Sequence, residues 1–87
     1  MIVMVDVLFF ASLREQLAVD KEQVDLGDEV QTIGDLKQLL SQRGGLWSEL
    51  FTRQQGLLCS VNQQMAGDDA TIKSGDEVAF FPPVTGG

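Results

Sequence analysis

The residues of this sequence best suited to chemistry are the two glycines at its end, Gly86 and Gly87. Glycine has no side chain, so a Gly-Gly end is the narrowest peptide that can enter the active site of another protein. We expect Gly87 to present a free α-carboxylate, which ATP can activate as a mixed anhydride with AMP and a sulfur nucleophile can then attack. The alternative is that the two glycines are only a frayed end.

The other side chains give little support for a self-contained enzyme. The chain has no histidine, which removes the commonest general base and the commonest metal ligand. Its single cysteine, Cys59, falls on the predicted buried face of a strand, so we expect a structural role. The acidic pairs Asp68-Asp69 and Asp76-Glu77 lie beside glycines and lack the spacing of a calcium loop, which indicates solvated turns. We therefore expect no bound cofactor and no metal.

Size and charge restrict the class of protein and of partner. A chain of 87 residues builds a single core. The formal net charge of −7 argues against binding to nucleic acid or to anionic membranes. The apolar first ten residues lack the positive charge of a signal peptide and are interrupted by Asp6, and no segment has the length of a membrane span. With one cysteine, these features favour a cytoplasmic location.

Apolar periodicity and turn residues predict six main elements. The predicted strands cover residues 2–9, 23–26, 57–62 and 77–81, and the predicted helices cover residues 12–18 and 32–43. Residues 62–67 are expected to form a turn. One long helix on one face of a mixed sheet gives a two-layer α+β domain of the β-grasp, or ubiquitin-like, type. We expect this domain to span residues 1–81, with an extended tail over residues 82–87.

Two carboxylates predict which face of the sheet is open. Asp6 shares a strand face with Leu8 and Phe10, and Glu77 shares one with Phe81. Because an unpaired carboxylate is not buried, these faces should be uncovered, and Phe81 should be exposed in the isolated chain. If the first and last strands pair, the three apolar side chains form one patch, which is typical of a protein-binding site.

Both ends of the chain resemble the small subunit of molybdopterin synthase. The opening segment, residues 7–15 (VLFFASLRE), and the closing segment, residues 75–87 (GDEVAFFPPVTGG), carry the resemblance together with residues 61–63 (VNQ). The middle of the chain, about residues 19–56, matches only in pattern. The closing motif is long and specific.

The resemblance implies a sulfur carrier in molybdenum cofactor biosynthesis. A ubiquitin-activating-like enzyme would use ATP to adenylate Gly87, and a sulfur-donating protein would supply the sulfur of a thiocarboxylate. Gly86 would give the tail its narrow approach to the large subunit, where the sulfur passes to cyclic pyranopterin monophosphate. The chain would be the non-catalytic subunit of a heterotetramer. Contacts to the partner are then expected from Leu8, Phe10, Phe81, Pro82, Pro83, Val84 and Thr85.

Three other interpretations stay open at the level of sequence. A sulfur carrier of thiamine thiazole synthesis shares the fold and the tail, but such chains tend to be shorter and lack the Phe-Phe-Ala opening. A ubiquitin-like modifier would join Gly87 to a lysine of a target protein. A plain interaction module would have no use for the glycines.

Overall fold

The computed structural model describes residues 3–53 and 57–82. The strands are β1 (Met4–Phe9), β2 (Lys21–Asp25), β3 (Leu58–Val61), β4 (Gln64–Met65) and β5 (Glu77–Phe81). The helices are α1 (Ala11–Leu17), α2 (Ile33–Ser41) and α3 (Leu46–Ser48), and a π-helix (Glu49–Arg53) follows α3 directly. Within the described ranges, no helix is long and apolar enough to span a lipid bilayer.

The strands form one mixed sheet in the order β2-β1-β5-β3-β4. β1 and β5, the first and last strands, pair in parallel, and the other neighbouring strands pair antiparallel. The predicted side-by-side pairing of the first and last strands is therefore confirmed. One face of the sheet packs against the helices, and the buried core joins Val5, Val7 and Phe9 of β1 and Val78 and Phe80 of β5 to Leu13, Ile33, Leu36 and Leu40. The predicted two-layer α+β β-grasp fold is confirmed.

The main helix, α2, begins as the sequence predicts. The backbone N–H of Asp35 donates to Thr32 Oγ1 at 3.2 Å, and the N–H of Thr32 donates to Asp35 Oδ2 at 3.2 Å. This reciprocal capping box satisfies backbone donors that the first helical turn leaves free. The N–H of Gln31 also donates to Asp35 Oδ2, and this bond contributes most to lowering the pKa of that carboxyl group. The helix ends at Ser41, two residues earlier than predicted.

The predicted turn over residues 62–67 is wrong, because it contains strand β4. Asn62 and Gln63 both have positive φ, at 51° and 71°. A two-residue turn with positive φ at both central positions matches the twist of the strands it joins, so the chain can pair again at once. Ser60 pairs with Met65 and Val61 pairs with Gln64. The hairpin thus adds a short edge strand to the sheet.

Candidate protein-binding surface

An apolar row lies across the open face of the sheet at the end of β5. Leu58 pairs with Phe81 in the β3–β5 register. Phe10 follows β1, and its N–H donates to the Phe80 carbonyl oxygen at 3.2 Å, which continues the ladder beyond the end of β1. This bond holds Phe10 beside Phe81, and the two rings stack with centroids 4.9 Å apart and planes 7° apart.

The structure places the predicted contact residues of β1 and β5 together on this face. Phe10 is 39% exposed, and Leu8 is half-buried. Phe81 is half-buried and not exposed, so that expectation is wrong. The reason is the stacked ring of Phe10, which covers one side of Phe81. Pro82, directly after β5, is also half-buried.

Two further apolar side chains on this face were missed by sequence reasoning. Leu58 is 38% exposed and Met65 is 65% exposed. Leu58 shares a strand face with Ser60, so a period of two along β3 was a sufficient signal for it. Met65 pairs with Ser60, but its stretch was predicted as a turn, which hid its orientation. The surface made by Leu8, Phe10, Leu58, Met65 and Phe81 is called the apolar patch below.

Polar contacts tie the β3–β4 hairpin to the start of β5. Asn62 Nδ2 donates to Asp76 Oδ1 at 3.0 Å, and the Lys73 N–H donates to Asp76 Oδ2 at 2.9 Å. The Glu77 N–H donates to Asn62 Oδ1 at 3.0 Å. Asp76 is only 6% exposed, so its interpretation as a solvated turn residue is wrong. Its carboxylate is buried because these donors satisfy it. The contacts also hold the hairpin and β5 together, and these strands carry three of the five residues of the apolar patch.

The other residues considered as a nucleophile or as metal ligands, Cys59 and Asp68, are held in contacts that stabilise the fold. Cys59 is 2% exposed, as predicted, and burial raises the pKa of its thiol to about 11. A neutral, buried thiol is a poor nucleophile. Asp68 forms an ion pair with Lys37 of α2, with Nζ and Oδ1 2.7 Å apart. In the parts of the chain that the structure describes, no three Cys, Asp or Glu side chains group into a metal site.

The tail begins where the apolar patch ends. Phe81 is the last residue of β5, and Pro82 is the last described residue. The remaining predicted site residues, Pro83, Val84, Thr85, Gly86 and Gly87, lie outside the described residues. A protein bound to the apolar patch would therefore contact Phe81, the residue directly before the tail.

Comparison with known proteins gives consistent matches along nearly the whole chain. Residues 7–87 match the ThiS family. The chain is 42% identical over 84 residues to the molybdopterin synthase sulfur carrier subunit of Haemophilus influenzae, covering 97% of this chain and 100% of that protein.

Solved structures share the fold over nearly the same length. A putative molybdopterin converting factor, subunit 1, from Pyrococcus furiosus has a TM-score of 0.76 and 28% identity, and the match covers 94% of this chain and 99% of that one. The small archaeal modifier protein SAMP1 from Haloferax volcanii has a TM-score of 0.75 and 27% identity, with coverage of 97% and 99%. The chain belongs to the ThiS family, and within it the chain is a homologue of the molybdopterin synthase sulfur carrier subunits.

Proposed function

We propose that this chain is the sulfur carrier of molybdenum cofactor biosynthesis, with Gly87 as the residue that holds the sulfur. The observation that carries the proposal is the 42% identity, over essentially the full length of both chains, to a molybdopterin synthase sulfur carrier subunit. The archaeal modifier protein shares the fold at 27% identity, so conjugation to proteins is kept as the alternative to be tested. In this proposal, residues 1–81 are the folded domain and residues 82–87 are the reactive tail.

The proposed chemistry takes place at the α-carboxylate of Gly87. A carboxylate oxygen is a poor leaving group, so an adenylating partner first joins the carboxylate to the α-phosphate of ATP and releases pyrophosphate. A persulfide sulfur of a sulfur-donating protein then attacks the carbonyl carbon, and AMP leaves. A second thiol then attacks the donor's sulfur of this acyl disulfide, which forms a disulfide with the donor and releases the thiocarboxylate of Gly87. Gly86 has no side chain, so the tail can enter a narrow channel that leads to the active site of the partner protein.

The catalytic groups for these steps are proposed to belong to the partners. The chain has no histidine, and the buried thiol of Cys59 has a pKa of about 11. We propose that the large subunit of molybdopterin synthase provides the site where the thiocarboxylate gives its sulfur to cyclic pyranopterin monophosphate. The complex is expected to be a cytoplasmic heterotetramer of two small and two large subunits.

The apolar patch supports a role in binding these partners. Its stacked aromatic pair, Phe10 and Phe81, lies at the end of the sheet from which residues 82–87 extend the chain. Exposed aromatic side chains at the centre of a contact often carry much of its affinity. A partner that binds the patch would also bring the tail close to its own active site. In the bound state, the walls of the partner's channel would contact Pro82, Pro83, Val84 and Thr85.

Reconstituted synthase tests the proposal. The wild-type chain and a variant lacking Gly87 are each incubated with the activating enzyme, ATP and a sulfur source, then with the large subunit and cyclic pyranopterin monophosphate. We expect molybdopterin from the wild-type chain and none from the shortened chain. Thermal unfolding should be the same for both, because the described core residues all precede Phe81. Molybdopterin formation by the shortened chain would contradict the proposal.

Three additional readouts separate the alternatives. Conjugates of higher mass in cell extract that disappear on removal of Gly87 would indicate a protein modifier. Capture of the thiazole-forming enzyme in place of the pterin-binding large subunit would indicate thiamine synthesis. Full function without Gly86 and Gly87 would indicate a plain interaction module.

A further inference from the structure

Two carboxylates face each other across the central strands on the open side of the sheet. Asp6 of β1 and Glu77 of β5 are direct partners in the parallel register, and both side chains are half-buried. They lie on the same face as Leu8, whose partner across the strands is Ala79. Phe10 lies four positions after Asp6, which corresponds to about 13 Å along the strand. The acidic pair and the aromatic pair are thus parts of one continuous surface.

This acidic pair has no partner within the domain. Neither carboxylate accepts a hydrogen bond or forms an ion pair with the parts of the chain that the structure describes. Lys21 of β2 pairs with Leu8 and is therefore diagonal to Asp6 on the same face, but the two form no ion pair. Like charges directly opposite each other on neighbouring strands destabilise a sheet. Among the described residues, no cation or donor offsets the two negative charges, so we expect a neutral pair at these positions to be at least as stable.

We propose that Asp6 and Glu77 together bind a cationic side chain, an arginine or a lysine, of the large subunit that covers the apolar patch. This inference rests on the proposed function and adds the chemistry of the partner surface to it. The apolar patch supplies contact area at the end of β5, and the acidic pair supplies charge complementarity at the beginning of the same strand. A basic group placed over both carboxylates removes their repulsion, so the unfavourable arrangement of the free chain becomes favourable in the complex.

The position of the acidic pair also fixes the orientation of the partner. An apolar patch alone tolerates rotation of the bound surface, whereas a charge contact about 13 Å from the aromatic pair defines a direction along β5. That direction runs from Glu77 to Phe81, the residue after which the tail follows in the sequence. Correct orientation is what a carrier needs, because its C-terminal residue must enter the partner's site.

A charge-neutralisation experiment with a matched control tests the inference. The double variant Asp6→Asn/Glu77→Gln removes the acidic pair. The control Asp28→Asn/Glu29→Gln makes the same two chemical changes at exposed positions in the turn between β2 and α2. Affinity for the large subunit is measured by titration calorimetry at low and high salt, and each free chain is melted.

The expected pattern combines weaker binding with an unimpaired fold. At low salt, Asp6→Asn/Glu77→Gln should bind about tenfold more weakly than wild type, and in roughly 0.5 M NaCl the difference should fall below about threefold. The control should stay within about twofold of wild type. The melting temperature of Asp6→Asn/Glu77→Gln should equal or exceed that of wild type, because a repulsion is removed.

Several results would overturn the inference. Equal binding by the two double variants, or a loss of affinity that high salt leaves unchanged, would each show that the pair does not bind a cation. A lower melting temperature for Asp6→Asn/Glu77→Gln would show that the pair stabilises the free chain, which contradicts the repulsion on which the inference rests. Failure of the wild-type chain to bind the large subunit would instead contradict the proposed function itself. The two kinds of failure are therefore distinguishable in the same experiment.

Discussion

Two neighbouring phenylalanines, Phe80 and Phe81, allow stability and partner binding to be separated within one strand. Phe80 is fully buried, stacks on Phe9 and meets the ring of Phe51 edge-on with centroids 5.1 Å apart. Truncating such a side chain costs about 3–5 kcal/mol of unfolding free energy. That loss is a large part of the roughly 5–10 kcal/mol expected for a domain of this size. Phe80→Ala should therefore be marginally folded or unfolded at room temperature.

Phe81→Ala should have a smaller effect on the fold. Its side chain is half-buried and its aromatic contact is the stack with Phe10. An aromatic pair contributes about 0.5–1.5 kcal/mol beyond area burial, so we expect a total loss of about 1–2 kcal/mol. Binding to the large subunit should weaken by about 1–3 kcal/mol if Phe81 is an aromatic anchor.

Urea denaturation followed by tryptophan fluorescence measures both losses of stability. Trp47 is the single tryptophan, and its ring lies 5.5 Å from that of Phe9, between centroids, so its emission reports on the core. Binding of Phe81→Ala is measured by calorimetry under conditions in which it is folded. Equal destabilisation by Phe80→Ala and Phe81→Ala, or unchanged affinity of Phe81→Ala, would refute the assignment of the two faces of β5.

Three further predictions concern local features of the fold. Thr32→Ala should lower the unfolding free energy by about 1 kcal/mol through loss of the α2 cap, and no change in a urea titration would contradict the capping geometry. Ala18→Gly should raise the unfolding free energy by about 0.5–1 kcal/mol in the same assay. Ala18 ends α1 with a φ of 59°, a conformation that glycine adopts without strain. A lower unfolding free energy for Ala18→Gly would contradict this reasoning. Burial raises the pKa of the Cys59 thiol from 9.0 to about 11, so the thiolate forms first in the unfolded chain. Stability should therefore fall as the pH rises through this interval and fall less in Cys59→Ala, whereas identical pH profiles for the two chains would contradict it.

Much of the fold follows from short-range patterns in the sequence. The positions of Asp6 and Glu77 predicted the open face of the sheet because strand parity depends only on neighbours in the chain. The start of the predicted helix at residue 32 was also local information, and the structure shows why it holds: Thr32 and Asp35, three positions apart, form a capping box. The burial of Cys59 also followed from the alternation of its strand.

The features that sequence reasoning missed depend on contacts between distant residues. Asp76 is buried because Asn62, 14 positions earlier, donates to it, and nothing near Asp76 in the sequence indicates that contact. Phe81 is half-buried because the pairing of β1 with β5 places Phe10 against it. Strand β4 was missed because Gln63 adopts a positive φ that its side chain does not favour.

The central claim is that the α-carboxylate of Gly87 accepts and donates sulfur. The most direct measurement is the intact mass of the chain after incubation with the activating enzyme, ATP and a sulfur source. We predict a mass gain equal to the difference between sulfur and oxygen, located at Gly87 by fragmentation and lost again after addition of the large subunit and cyclic pyranopterin monophosphate. A chain that retains its unmodified carboxylate under these conditions would contradict the claim.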